Sequence, residues 1–226
     1  MQKYVALKFL RSDCYDGTYD IYELEMLQHI QQKSQSSTSP GRNRIIQLLD
    51  HFNHKIKTES HVCFVFPVLG NHLGLQTARY EKYRLPVRAV KEVSRQLLQG
   101  LDFLHRECGI IHTGRLAMDC ECINIDCGIW LIKTYDNLDL KPSNILLELE
   151  DPETVVATYI EQEPLHTFKP ETEESTIVTP LSEAITTPLI SEMKDIRVRI
   201  IDLGVCTLLH RLENSLRFST ATNIPS

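Results

Sequence analysis

Four short strings in this chain carry side chains that suit one kind of chemistry, the handling of phosphate. Asp139-Leu140-Lys141-Pro142-Ser143-Asn144 sets a carboxylate and an amide around a lysine, just ahead of the apolar run Ile145-Leu146-Leu147. That spacing can hold a carboxylate at an attacking hydroxyl and an amide oxygen on a divalent cation, while the lysine neutralises a phosphoryl group. Ile200-Ile201-Asp202-Leu203-Gly204 ends an apolar run in a carboxylate, an oxygen donor that matches a hard cation, although Asp-x-Gly alone is also a common turn. Val5-Ala6-Leu7-Lys8 closes an apolar strand with a lysine, which can reach the α- and β-phosphates of a nucleotide if an acid fixes its rotamer. Glu23 or Glu25 can be that acid. Cys108-Gly109-Ile110-Ile111-His112-Thr113 adds a histidine after a long helical pattern. Singly, the lysine, the Asp-x-Gly and the histidine also read as ordinary structural residues. The Asp-Leu-Lys-Pro-x-Asn string is far more specific.

Elements must position these groups, and the hydrophobic pattern predicts them. Lys3–Leu10 reads as a strand in which Val5, Leu7 and Phe9 alternate with small or charged neighbours. A turn at Asp16-Gly17 leads to a helix from about Thr18, with Ile21, Leu24, Leu27 and Ile30 on one face. Gln31 to Gly41 is polar and ends Thr-Ser-Pro-Gly, which predicts a surface loop. Ile45–Phe52 and Val62–Leu69 are apolar runs of strand length, the second rich in β-branched and aromatic residues. Pro86–Glu107 is the clearest helix: Pro86 suits the first turn, Gly109 the exit, and Val90, Val93, Leu97, Leu101 and Leu104 form a stripe. Asn144–Leu149 is a short apolar run and Arg197–Leu203 a strand. Between them, Glu148 to Asp195 is acidic and rich in Thr, Ser and Pro, and most of it reads as a solvated spacer. Thr179-Pro180 and Thr187-Pro188 there are candidate phosphorylation sites, though such dipeptides mostly mean loop.

Composition narrows the function classes. The chain has 226 residues, 42% hydrophobic and 24% charged, which excludes wholesale disorder. A formal net charge of −6 argues against a sequence-independent grip on nucleic acid and favours a basic partner. No apolar run reaches membrane-spanning length and the start lacks a secretory h-region. Seven cysteines, an odd and sparse set, fit a reducing interior, so the expectation is an intracellular globular protein.

In their order along the chain, these strings resemble a eukaryotic protein kinase, and more closely the SR-protein kinase family with its fungal relatives. That family's catalytic string reads Ile-Ile-His-Thr-Asp-Leu-Lys-Pro and its metal motif Asp-Leu-Gly. Phe64-Val65-Phe66-Pro67-Val68-Leu69-Gly70-Asn71-His72-Leu73 resembles its hinge, and Gln96 to His105 the helix before its catalytic loop. The resemblance runs from Tyr4 to about Cys206, apart from two interruptions. It implies a two-lobed α+β kinase fold, ATP and Mg²⁺ as cofactors, and Arg-Ser-rich proteins as substrates. By the same resemblance Lys8 holds the nucleotide phosphates, paired with Glu23, which leads Glu-Leu-Glu-Met-Leu. Val68 and Leu69 offer backbone groups to adenine behind Phe66, Asp139 is the catalytic base with Lys141 its electrostatic partner, and Asn144 and Asp202 bind the metal. A monomer, cytoplasmic and nuclear, with no direct nucleic-acid or membrane contact, completes the expectation.

Three departures shape the expected organisation. Few residues precede Lys8, so the Gly-rich phosphate-covering loop is expected to be missing. His112-Thr113 should run into Asp139, yet 25 residues, Gly114 to Leu138, intervene. A retained intron accounts for them: Thr113-Gly114-Arg115 can encode a GT donor, Leu138-Asp139 an AG acceptor, and excision in that phase restores Thr-Asp. The Cys120-x-Cys122-x₄-Cys127 cluster inside lacks a nearby fourth ligand and reads as chance rather than zinc. Finally, no Ala-Pro-Glu follows Asp202, so the C-terminal lobe is expected to be truncated, and Pro67 replaces the usual hinge Glu while keeping a carbonyl. The expected layout is a partial kinase domain over 1–206, interrupted at 114–138 and by the acidic spacer 148–195, with an irregular tail over 207–226. Two readings remain, an active Ser/Thr kinase of the SR-protein kinase type and a non-catalytic kinase-like fragment that acts by binding. Exposure of the long helix's stripe, and aggregation in isolation, are expected from the missing lobe.

Overall fold

The structure, a computed structural model, describes residues 4–12, 22–112, 140–162, 167–168, 179–180, 185, 187–203 and 206–208. Strands β1 (Ala6–Phe9), β2 (Asp50–Ile56) and β3 (Glu59–Phe66) form an antiparallel sheet in the order β1-β3-β2. Helix α1 (Glu23–Ser36) buries Glu23, Met26, Leu27 and Ile30, one face at i, i+3, i+4 and i+7, which packs with Phe64 of β3. The helix runs past Ile30 through residues expected in a loop, because Gln31, Gln32, Lys33 and Gln35 are adequate helix formers. Residues 18–21, expected to open it, lie outside the described residues.

A 3₁₀ turn at Pro40–Arg44 follows, capped by the Ser39 hydroxyl, which accepts from the Gly41 N–H. The strand expected over Ile45–Phe52 starts instead at Asp50. Ile45, Ile46 and Leu48 are buried core residues, and the Ile46 N–H bonds the Ile200 carbonyl at 2.9 Å. Three apolar residues in four cannot alternate between faces, so they sink into the core and the sheet begins beyond them.

Short helix α2 (Leu73–Ala78) precedes α3 (Val87–Asp102), which closes in a π turn over Phe103–Glu107. Pro86 caps α3 from outside, and Gly109 at φ 62° turns the chain into β4 (Ile110–His112). Val93 and Leu104 of the predicted stripe are buried and Val90, Leu97 and Leu101 half-buried, so the stripe is packed rather than bare.

After residue 139 come β5 (Ile145–Leu147), α4 (Pro152–Gln162), β6 (Thr167–Phe168), β7 (Thr179–Pro180), β8 (Val198–Ile200) and β9 (Cys206–Leu208). They pair antiparallel as β5 with β8, β4 with β9 and β6 with β7. Strand β8 is three residues of the seven expected. The acidic stretch is built into the fold at both ends. Helix α4 buries Val156, and Thr187, Ile190 and Ile196 are core residues. Two buried clusters result, one under the sheet and α1, the other between α2, α3 and β5/β8, with Leu97 and Leu140 touching both. The architecture is α+β.

Candidate functional site

Lys8 is the penultimate residue of β1, on the face that meets α1. Its ammonium donates to both oxygens of Glu23, at 2.7 and 2.9 Å, and lies 3.5 Å from Asp202 Oδ1. Residues 15 and 194 positions apart are thereby joined at one nitrogen. Glu23 reaches it because helical spacing puts it on the same buried face as Met26, Leu27 and Ile30. Burial pushes the Glu23 carboxyl up from 4.5, opposed by the charge and hydrogen bonds of Lys8, while the nearby Asp202 charge adds to the rise.

Asp202 follows β8 with φ 61°, a left-handed conformation uncommon for a residue with a side chain, which turns the carboxylate toward Lys8. Asn144 closes the Pro142–Asn144 turn, where its N–H bonds the Lys141 carbonyl at 2.8 Å. Its own carbonyl accepts from the Ile201 N–H at 2.9 Å, so the β5/β8 pair sets Asn144 and Asp202 at neighbouring strand ends. A carboxylate and an amide oxygen are hard donors, and Mg²⁺, which takes one or two carboxylates plus phosphates and water, fits so sparse a set. No cluster of three or more metal-ligating His, Cys, Asp or Glu occurs among the described residues.

Lys141 is exposed beside this turn, and Asp139, the expected base, lies outside the described residues, as do 114–138 and the Cys120-Cys122-Cys127 cluster. The two motifs flanking that gap are still held together: β4 places His112 opposite Cys206 of β9, just beyond the Asp-Leu-Gly. At the hinge, Phe66 packs edge-on to Phe64 with centroids 6.0 Å apart, Val68 is half-buried, and Leu69 packs on the core beneath the sheet. The Gly70 N–H bonds the Leu147 carbonyl at 2.8 Å, and the Leu147 N–H bonds that of Asn71 at 3.1 Å, tying the hinge to β5.

Sequence reasoning missed the group behind the hinge. Asn71 Oδ1 accepts from the Thr187 N–H and hydroxyl at 2.6 and 2.8 Å, and the Gln76 amide donates to that hydroxyl at 2.7 Å. The signal was the Thr187-Pro188-Leu189-Ile190 run, which ends in two adjacent apolar residues just after a proline.

No family model matches the chain. Among curated proteins it is 37% identical over 154 residues to the serine/threonine-protein kinase SKY1 of Saccharomyces cerevisiae, covering 68% of this chain and 17% of that one. It is 38% identical over 143 residues to protein kinase dsk1 of Schizosaccharomyces pombe, covering 63% of this chain and 21% of that one. It is also 33% identical over 150 residues to SRSF protein kinase 3 of Homo sapiens, covering 66% and 22%. The chain thus spans about a fifth of the length of these relatives. A crystal structure of a kinase domain overlays at TM-score 0.48 and 20% identity, over 91% of this chain and 44% of that one, too loosely to add weight. With relatives that agree in kind, and with the ordered motifs carried by β1, α1, β5 and β8, this chain belongs to the SR-protein kinase group of serine/threonine protein kinases and holds part of a kinase domain.

Proposed function

We propose that the chain is the nucleotide-anchoring part of a kinase that moves the γ-phosphoryl group of ATP to serines of Arg-Ser-rich proteins. The observation that carries this reading is the Lys8–Glu23 pair at 2.7 Å with Asp202 beside it. Lys8 holds the nucleotide phosphates, Glu23 fixes its rotamer, and Phe66, Val68 and Leu69 frame the adenine. Asp139 accepts the proton of the serine hydroxyl as its oxygen bonds the γ-phosphorus and ADP leaves. Lys141 balances the charge on the transferred group, and Asn144 and Asp202 hold Mg²⁺. Mg²⁺, when bound, neutralises charge on the phosphate oxygens. The net charge of −6 suits basic Arg-Ser-rich substrates. A monomer, cytoplasmic and nuclear, without direct nucleic-acid or membrane contact, goes with this reading. No helix among the described residues is long and apolar enough to cross a membrane.

The 25 residues between Thr113 and Asp139 favour a second reading, binding of nucleotide without transfer. Displacements near 1 Å already slow a positioned reaction. The test is phosphotransfer to an Arg-Ser peptide with Mg-ATP, beside Lys8→Met and Asp139→Asn variants. Transfer abolished by both substitutions supports the kinase reading. A Mg-ATP-dependent melting shift with no transfer supports the second. Amplifying the transcript across the codons for Cys108 to Leu147 tests the intron: a product shorter by 25 codons assigns the catalytic loop to the spliced protein.

A further inference from the structure

Apart from Lys8, Glu23, Asn144 and Asp202, a cavity of about 740 Å³ opens between the outer face of α3 and the segment leading into β8. Arg88, Lys91 and Arg95 line one wall and Lys194, Asp195 and Ile196 the other. Both acids on its walls are already matched. Glu92 pairs with Arg95 at 2.5 Å, and Asp195 with Arg197 at 3.5 Å. Arg88 donates to the Lys194 carbonyl at 3.3 Å, which joins the walls without neutralising its charge. The side chains of Lys91 and Lys194 have no ion-pair partner among the described residues. Three uncompensated cations therefore converge on one trough in a chain whose net charge is −6.

Beside the trough lies a smaller, largely apolar notch in which Pro86, Ala89, Ile190 and Ile196 meet Arg88 and Ser191. A small inorganic anion would have no use for the notch. A nucleic-acid strand would want aromatic platforms, and the walls of the trough carry none. Arg88 to Arg95 span roughly 10 Å of helix, the length of about three extended residues.

We infer that this trough docks an extended acidic peptide segment of a partner protein, with carboxylates on Arg88, Lys91 and Lys194 and one aliphatic side chain in the notch. The site shares no residue with the nucleotide anchor and stands whether or not the chain transfers phosphate. The test is fluorescence anisotropy of a fluorescein-labelled Asp/Glu decapeptide containing one leucine, titrated with the full chain. Saturable binding that weakens with salt is expected, roughly tenfold weaker for the Arg88→Glu, Lys91→Glu double variant and weaker again when the peptide's leucine is glycine. Melting curves establish that the double variant is folded. If it is not, Lys91→Gln, which only removes one exposed charge, is expected to weaken binding severalfold. Unchanged binding by the folded variants, indifference to the leucine, or tighter binding of a single-stranded oligonucleotide would overturn the inference.

Discussion

The Lys8–Glu23 ion pair is lopsided: the Lys8 side chain is 38% exposed and that of Glu23 only 4%. Losing one partner is therefore not like losing the other. Lys8→Met strands a buried carboxylate and is expected to cost about 1–3 kcal/mol, whereas Glu23→Gln leaves an ammonium that water can solvate and costs less. Urea melts of the two variants check the order. Acid separates two effects of the same group. Because burial raises the Glu23 pKa above 4.5, its carboxylate takes a proton earlier than an ordinary glutamate on acidification, and Lys8 is released. Mg-ATP affinity should fall in that range. The contribution of this residue to folding runs the other way, fully present below the unfolded value and lost as pH rises through the folded one. Glu23→Gln should remove both trends, and equal pH profiles for wild type and variant would refute the assignment. The cysteines add a simpler expectation. Burial pushes the Cys108 thiol up to about 12 and that of Cys63 upward too, so peptide-resolved mass spectrometry should find both unalkylated in the native chain at pH 8. Much of this site was legible in the residues, since Lys8, Asp202 and Asn144 stand in ordered strings. The choice of Glu23 over Glu25 also lay in the spacing: only Glu23 shares a face with Met26, Leu27 and Ile30. The predicted face of Ile21, Leu24, Leu27 and Ile30 shares Leu27 and Ile30 with the buried one, and differs where Glu23 and Met26 turn inward beside the half-buried Leu24.

Elements were readable where one period ran unbroken, as in α3, and misplaced where burial came from several sides, as at Ile45 to Leu48. The close approach of the Pro40–Arg44 turn to α3 left no periodic trace. A Cβ on Gly41 would meet the Gln99 carbonyl oxygen at 2.0 Å and Phe103 Cβ at 2.8 Å. Gly41→Ala should therefore lower stability by about 1–3 kcal/mol, which a thermal melt would show as a clear drop in Tm. The packed ends of the acidic stretch escaped the composition for a related reason. Composition averages over a segment, whereas Thr187 is fixed by four hydrogen bonds to the side chains of Asn71, Gln76 and Arg79. Thr187→Val keeps its N–H on Asn71 but removes the hydroxyl that joins Asn71 to Gln76, which should cost about 1 kcal/mol in a urea melt, and in the folded chain a proline-directed kinase should leave Thr187 unmodified.

At the scale of the molecule, the sheet carries an exposed apolar face, whereas α3 exposes only Val87 and Leu98 among its large apolar residues. Leu7 and Phe9 of β1 share a face with Phe52 and Ile56 of β2, and each is at least 40% exposed. Among the described residues strand β1 is also an edge of that sheet. The isolated chain should self-associate with rising concentration, and Leu7→Lys with Phe52→Lys should reduce light scattering without lowering Tm. The same topology sets a timetable. Arg199 reaches back to the Ile45 carbonyl across 154 residues, and Ile200 beside it fills the core built on Leu27, Ile30 and Ile45. During synthesis at about 5–20 residues per second, that core waits many seconds for its last strand. A ribosome stalled before Arg197 should therefore hold a protease-sensitive chain, and the nascent protein depends on whatever shelters it until β8 emerges.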